Sequence, residues 1–175
     1  MRIGIFAVDP GGATGLAWAI VNPKLSSIDN CLLKRTHFGS ITIEGDARKQ
    51  FKEIAQLWEG FSRACLNLGV ESKYIFPVCE DFVYAPGVNY EGDSARISTQ
   101  IIWGFEGFRH GRAFGGRGLA AKVPAMYLQT ASQAKGYVTN ARLKEWGLWV
   151  VGRDHERSAN QHLAYFLAQF RKHNP

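Results

Sequence analysis

The chain has 175 residues, 46% of them hydrophobic and 21% charged, with 19 Gly, 6 Pro and a formal net charge of +6. That length suits a single domain, here residues 1–175, with one sizeable core, and the apolar share excludes a disordered tail. No apolar run approaches the ~20 residues of a membrane helix, and the first, Ile3 to Val8, ends at Asp9 without a signal-peptide cleavage site.

Taken in order, Arg2 to Val8 is almost continuously apolar and β-rich, as expected of a strand buried on both faces. Asp9-Pro10-Gly11-Gly12 is a turn, and Gly15 to Val21 reads as a strand returning antiparallel. Pro23 to Asn30 reads as a loop, and Cys31 to Ile43 as a third strand with Gly39 as its weak point, completing a meander. A helix follows, with Asp46 as N-cap and Phe51, Ile54, Trp58, Phe61, Cys65 and Leu68 at three- and four-residue spacing, closed by Gly69. Tyr74 to Phe82 is a further buried strand that carries Glu80 and Asp81 near its end. Beyond the loop 84–93, Ile97, Ile101, Phe105 and Phe108 form one helical stripe, with Gly104 allowing a close neighbour. His110 to Gly118 is a Gly- and Arg-rich loop, and Ala121 to Gln129 a fifth strand in which Pro124 suggests an edge or a bulge. Ala131 to Trp146 reads as a helix interrupted by Gly136. The last helix, about His155 to Arg171, turns Ala159, Leu163, Phe166, Leu167 and Phe170 to the core. The order predicts an α/β domain with a mixed sheet, without internal repeat or linker.

Charge and cysteine usage narrow the function. The segment 107–144 contains no acid but carries Arg109, Arg112, Arg117, Lys122, Lys135, Arg142 and Lys144, so one stretch holds the whole positive excess. A concentrated positive field is the footprint of a polyanion such as nucleic acid, or simply a solvated basic face. Cys31, Cys65 and Cys79 are far apart, which suits neither a disulfide framework nor a four-ligand zinc site and fits a reduced, cytosolic setting.

Two acids stand out. Asp9 closes the first strand inside Asp9-Pro10-Gly11-Gly12-Ala13-Thr14-Gly15, where a carboxylate beside a bare glycine turn can meet a metal-bound phosphate, although Asp-Pro-Gly is also ordinary turn chemistry. Glu80 ends an apolar strand, and a charge there is costly to bury unless it is ion-paired or bound to metal. If the two strands are neighbours, both acids lie at adjoining ends. Asp81 then points to the opposite face.

The runs Ile5-Phe6-Ala7-Val8-Asp9-Pro10-Gly11, Val78-Cys79-Glu80-Asp81-Phe82, Gln129-Thr130-Ala131-Ser132-Gln133-Ala134-Lys135 and His155-Glu156-Arg157-Ser158-Ala159-Asn160-Gln161-His162 occur in this order across nearly the whole chain. Together they resemble the RuvC-like Holliday-junction resolvases, in particular their phage-borne branch. The resemblance implies an RNase H-like fold with a five-stranded mixed sheet flanked by helices. It further implies a homodimer, four-way-junction DNA as partner, and phosphodiester hydrolysis with two Mg²⁺ or Mn²⁺ ions per site. The setting implied is the cytosol of a bacterium or phage-infected host. Asp9 and Glu80 match the family's metal-binding acids, and Lys135 its basic residue near the scissile phosphate. Two dications can activate a water and stabilise the leaving oxygen, and carboxylates must hold them.

The last motif departs from the family, which places a metal-binding Asp where this chain has Ser158. His155, Ser158 and His162 share one helical flank beside the apolar stripe. A neighbouring acid such as Asp154, or His155, can replace the missing ligand; the phosphate and water can complete a reduced site; or the chain binds DNA without cutting it. Asp154 also reads as a helix N-cap and Glu156 as a first-turn acid.

For DNA contact, Tyr84 and Tyr90 lie in the loop after Glu80, where aromatics can stack on unpaired bases, while Phe82 reads as core. Arg109, Arg112, Arg117 and Lys122, with Lys135, are candidates for phosphate contacts. An ATPase of the sugar-kinase type is disfavoured because no residues remain for a second nucleotide-binding domain, so no nucleotide cofactor or membrane partner is expected. A non-cleaving binder of branched DNA and a nuclease of the same fold acting on RNA or RNA–DNA hybrid are the alternatives.

Overall fold

The structure is a computed structural model and describes residues 1–81, 96–97, 99–104 and 124–175. Strand β1 (Ile3–Asp9) is buried along its whole length, as its unbroken apolar run requires. It pairs antiparallel with β2 (Ala13–Val21), Asp9 opposite Gly15, and β2 pairs antiparallel with β3 (Thr36–Glu44). Strand β4 (Ile75–Asp81) lies parallel to β1 on its other side, and β5 (Tyr127–Thr130) parallel to β4. The sheet order is therefore β3-β2-β1-β4-β5, the expected five-stranded mixed sheet with a meander at one end.

The third strand starts later than its sequence suggests. Residues 28–33, expected partly as loop and partly as strand, form a short helix, α1 (Ile28–Leu33). Ser27 caps it by accepting a hydrogen bond from the Asn30 amide at 3.1 Å, and Cys31 and Leu32 are buried from it. Gly39 adjoins the irregular point of β3, where the register with β2 shifts between Trp18 and Ile20 and His37 takes a positive φ of 49°. The glycine faces Trp18 across the strand pair, and a Cβ there would run into the indole.

Helix α2 (Ala47–Asn67) begins at the expected cap, with the Lys49 amide donating to Asp46 Oδ1 at 2.9 Å. Its buried face carries Ile54, Trp58, Phe61 and Cys65. Leu68 instead forms the C-cap and is exposed, because Gly69 takes a left-handed conformation (φ 78°) and turns the chain away. Ile97 and Ile101, both in helical residues, are buried on the same side of the sheet as α2. Gly104 lies against the Phe51 ring, where a Cβ would clash, so it is the close approach expected of it. The other face is covered by α1, α3 (Ala131–Tyr137), α4 (Asn140–Glu145) and the long α5 (Asp154–His173).

Two breaks differ from the sequence reading. The fifth strand covers only residues 127–130, and Pro124 lies before it. The helix after it is interrupted not at Gly136 but at Val138–Thr139, where Thr139 accepts from the Arg142 amide and caps a new helix. None of the helices described is long and apolar enough to cross a membrane.

Candidate active site

The parallel register sets Val8 beside Cys79, so the next residues, Asp9 and Glu80, finish adjoining strands side by side. Both are nearly buried, at 7% exposure each. They form the floor of an open cleft of about 730 Å³, whose walls are the 10–12 turn, Lys135 and Thr139 on one side and Asp154, His155, Ser158 and Gln161 on the other.

Each wall is set by local sequence. Thr130 ends β5 and at once caps α3 in a reciprocal box: its hydroxyl accepts from the Gln133 amide at 3.3 Å, while Gln133 Oε1 accepts from the Thr130 amide at 3.0 Å. That tight start brings Lys135, one turn on, to 3.5 Å from Glu80 Oε2. The start of α5 rests on β2 at Gly15, where any side chain would collide with the His155 carbonyl. Because Gly15 is the register partner of Asp9, this contact delivers His155 to the acid, Nδ1 to Oδ2 at 3.3 Å.

Glu156 is the first-turn acid expected of it, and it is buried. It accepts from Ser40 at 3.0 Å, Thr42 at 3.3 Å and Arg153 at 2.8 Å, and so ties α5 to β3. Asp154 is not the N-cap; that position is Arg153, without a side-chain capping bond. Asp154 is the first helical residue, strongly exposed on the rim of the cleft and ion-paired with Arg157 one turn on.

His162, on the flank shared with His155 and Ser158, reaches the acids as well. It is fully buried beneath the cleft, with Nε2 2.9 Å from Glu80 Oε2 and Nδ1 3.0 Å from Gln129 Oε1. Asp9, Glu80 and His162 each offer a ligand atom within 4.8 Å of the others. The sequence signal for His162 is its place one turn beyond Ser158, a polar residue in a stripe that is otherwise apolar. Gln129 carries no sequence signal of its own; it qualifies only as the register partner of Glu80 on β5.

The electrostatics separate the two acids. Burial pushes the Asp9 carboxyl up, the His155 contact pulls it partly back, and Glu80 raises it further. Burial acts on Glu80 in the same sense, but hydrogen bonds from His162 and Asp9 and the Lys135 charge outweigh it and bring it down to about 2. Glu80 is therefore the more readily ionised of the two. His155 is raised by its bond to Asp9, against the effect of burial. Ser158 Oγ is buried and has no hydrogen-bond partner, though its residue lines the cleft.

This donor set fits a divalent cation. Two buried carboxylates raise the cost of each other's charge where a cation would neutralise both, and the buried, unpartnered Ser158 hydroxyl belongs to a residue lining the same cleft. The structure thus brings Asp9, Glu80, Lys135, His155 and Ser158 together, with Asp154 at the rim. Phe82, Tyr84, Tyr90, Arg109, Arg112, Arg117 and Lys122 lie outside the described residues.

No family model matches the chain. Among solved structures, a Thermus thermophilus RuvC structure superposes with a TM-score of 0.54. T. thermophilus RuvC in complex with Holliday junction substrate superposes with 0.51. Each is 15% identical in sequence, and each alignment covers 96% of this chain and 96% of the other. The likeness shows the fold: an RNase H-like α/β architecture built on a five-stranded mixed sheet. Among curated proteins, Lon protease of Karelsulcia muelleri (strain GWSS) is 34% identical over 101 residues, 55% of this chain but 12% of the protease's own length.

Proposed function

We propose that the chain is a metal-dependent, structure-selective endonuclease that hydrolyses phosphodiesters in branched DNA, four-way junctions above all. The observation that carries this reading is the meeting of two buried carboxylates, Asp9 and Glu80, at adjoining strand ends on the floor of an open cleft. Its support from outside is the fold shared with RuvC, of which one structure is a complex with Holliday junction substrate.

In this reading Asp9 and Glu80 hold the divalent cation, Mg²⁺ or Mn²⁺. A cation bound there supplies Lewis acidity toward the phosphate and neutralises charge that develops on it. Lys135, half-exposed on a helix that ends at the cleft, swings from Glu80 to a phosphate oxygen. His155, half-exposed with Nδ1 on Asp9, is placed to accept a proton from the attacking water at the cleft's edge. Ser158, its hydroxyl buried and unpartnered, donates to an ordered water beneath the site. Asp154 is left out of the ligand set, since Arg157 occupies its carboxylate.

Arg109, Arg112, Arg117 and Lys122 belong to the acid-free segment and hold phosphates flanking the site, which makes binding strongly salt-dependent. Tyr84 stacks on bases exposed at the branch. A symmetric junction needs two paired incisions, so the working form is a homodimer. Ser158 in place of an acid favours one other reading, a protein that holds branched DNA without cutting it.

The test offers four-way junction, linear duplex and RNA–DNA hybrid to the protein with Mg²⁺, Mn²⁺ or chelator. Cutting of the junction alone, abolished by chelator and by Asp9→Asn or Glu80→Gln while binding persists, is the expected result. Junction binding without cutting under every metal selects the non-cleaving reading. Preference for the hybrid selects an RNA-directed nuclease.

A further inference from the structure

We propose that His162 stands in for the carboxylate that Ser158 lacks, as a nitrogen ligand that turns the site's preference from Mg²⁺ to Mn²⁺. The inference rests on the reading of Asp9 and Glu80 as a cation site and names the third donor of that same site.

The first observation is the contact itself. Gln129 presents its amide oxygen, an acceptor only, to His162 Nδ1 at 3.0 Å, so Nδ1 carries a ring hydrogen. Nε2 lies 2.9 Å from Glu80 Oε2, so in the metal-free protein the ring hydrogen-bonds to the carboxylate there as well. A divalent ion would displace the Nε2 hydrogen and meet the nitrogen lone pair and the carboxylate together. Fixing a histidine tautomer through its far nitrogen is how proteins prepare a metal ligand. Adjacent donors on an octahedral ion with bonds of 2.0–2.1 Å lie roughly 2.9 Å apart, which is the spacing present here. Asp9 completes the triangle, all three donors lying within 4.8 Å of one another.

The second observation is Ser158. Its hydroxyl is buried, unpartnered and adjacent to the same cleft, one helical turn before His162. Ser158 makes no hydrogen bond to either acid, whereas the imidazole four residues on does reach Glu80. Gln129 is also placed for this task alone: it sits beside Glu80 in the β4–β5 register, and its side chain is spent on the histidine. Lys135, the other group on Glu80 Oε2, is half-exposed and free to leave, while His162 is locked in the core.

Replacing an oxygen donor with imidazole changes which ion is favoured. Mg²⁺ demands oxygen ligands and near-ideal octahedral geometry, whereas transition ions accept nitrogen as well. Mn²⁺ should bind at least about tenfold tighter than Mg²⁺, a difference of about 1.4 kcal/mol.

The experiment uses the full chain without DNA, so its outcome is independent of whether the protein cuts anything. Pulsed electron paramagnetic resonance of the Mn²⁺-loaded protein should show modulation from a directly bound ¹⁴N. The signal should persist in His155→Gln, a variant at a half-exposed position, and vanish in His162→Gln. Titration calorimetry should give the Mn²⁺ preference in the natural protein and its loss in His162→Asp, which restores an all-oxygen set. Bound Mn²⁺ without nitrogen modulation, modulation lost with His155→Gln, or equal affinity for the two ions each overturns the proposal. So does the absence of any bound ion. Nitrogen-ligated Mn²⁺ in a protein that cuts no junction leaves this inference standing and overturns the proposed function instead.

Discussion

Asp9→Asn distinguishes a site kept for a cation from an acid kept for structure. In the metal-free protein Asp9 is pushed up by burial and by the neighbouring Glu80, with only the His155 contact opposing. Asparagine keeps the shape, donates permanently to Glu80 and removes the second buried charge. Relief of such a functional conflict is worth on the order of 1–2 kcal/mol, which for a chain of this length raises the melting temperature by about 2–8 °C. The sign with pH follows from the raised carboxyl. In the natural protein, Asp9's contribution is fully present below its unfolded value of 3.8 and is lost as pH rises through its folded value. The advantage of the variant should therefore be small in acid and grow toward neutral pH. Saturating Mn²⁺ should reverse the order, since ion at a hundredfold over its dissociation constant adds about 2.7 kcal/mol to a protein that binds it and nothing to one that does not. Melting curves with Mn²⁺ and with chelator, across pH, provide the measurement. A variant that melts below the natural protein in chelator, or responds equally to Mn²⁺, would show Asp9 to be a structural acid and refute the cation site.

The remaining expectations concern the groups around that acid. Glu80 falls from its ordinary 4.5 to about 2 despite burial, so its stabilisation is present above 4.5 and lost as pH falls toward 2. Glu80→Gln should flatten that acid limb by on the order of 3 kcal/mol in urea titrations. Gly15→Ala forces a methyl into the His155 carbonyl and should cost at least about 2 kcal/mol while moving His155 off Asp9, seen as loss of the shifted His155 titration by NMR. Glu156→Ala strips Ser40, Thr42 and Arg153 of a buried charged partner and should lower stability by about 2–4 kcal/mol in the same denaturant assay. Ser158→Asp adds a third acid to the cleft, so it should destabilise the metal-free protein, strengthen Mg²⁺ binding and raise any Mg²⁺-dependent cutting.

What the sequence makes legible is what local rules control. The unbroken run of β1, the heptad-like spacing in α2 and the acid at the end of β4 each announce an element or a site without help from elsewhere. That the strands of Asp9 and Glu80 are neighbours is only a condition in the sequence; the parallel pairing of β1 with β4 meets it and brings the two acids together. The errors fall where a distant partner decides. The first-turn place of Glu156 is legible, but its burial is not, because Ser40 and Thr42, more than a hundred residues earlier, join Arg153 in making it acceptable. Asp154 looks like a cap by its place, yet Arg157 is its partner and the backbone at Arg153 starts the helix. The short helix at 28–33 escapes the sequence reading because a single Ser27 hydroxyl and two buried residues are enough to make it.

His162 shows the same limit at the site itself. Spacing puts it on the right flank, but a histidine in an apolar stripe is equally a satisfied core residue, and nothing local says which. The decision comes from two strands. Glu80 on β4 supplies an acid at Nε2, and Gln129 on β5 supplies an acceptor at Nδ1, and those two residues are brought together only by the parallel register. The same register sets Lys135 on the acid from the other side. Without a cation, then, Glu80 is neutralised by two groups and Asp9 by His155, and all three of those partners face the cleft or its floor. A dication bound there would take over that neutralisation and would release the two exposed partners, Lys135 and His155, toward an anion in the cleft. Buried His162 would have nowhere else to go, and that immobility would make it a ligand where the two exposed groups are counter-ions.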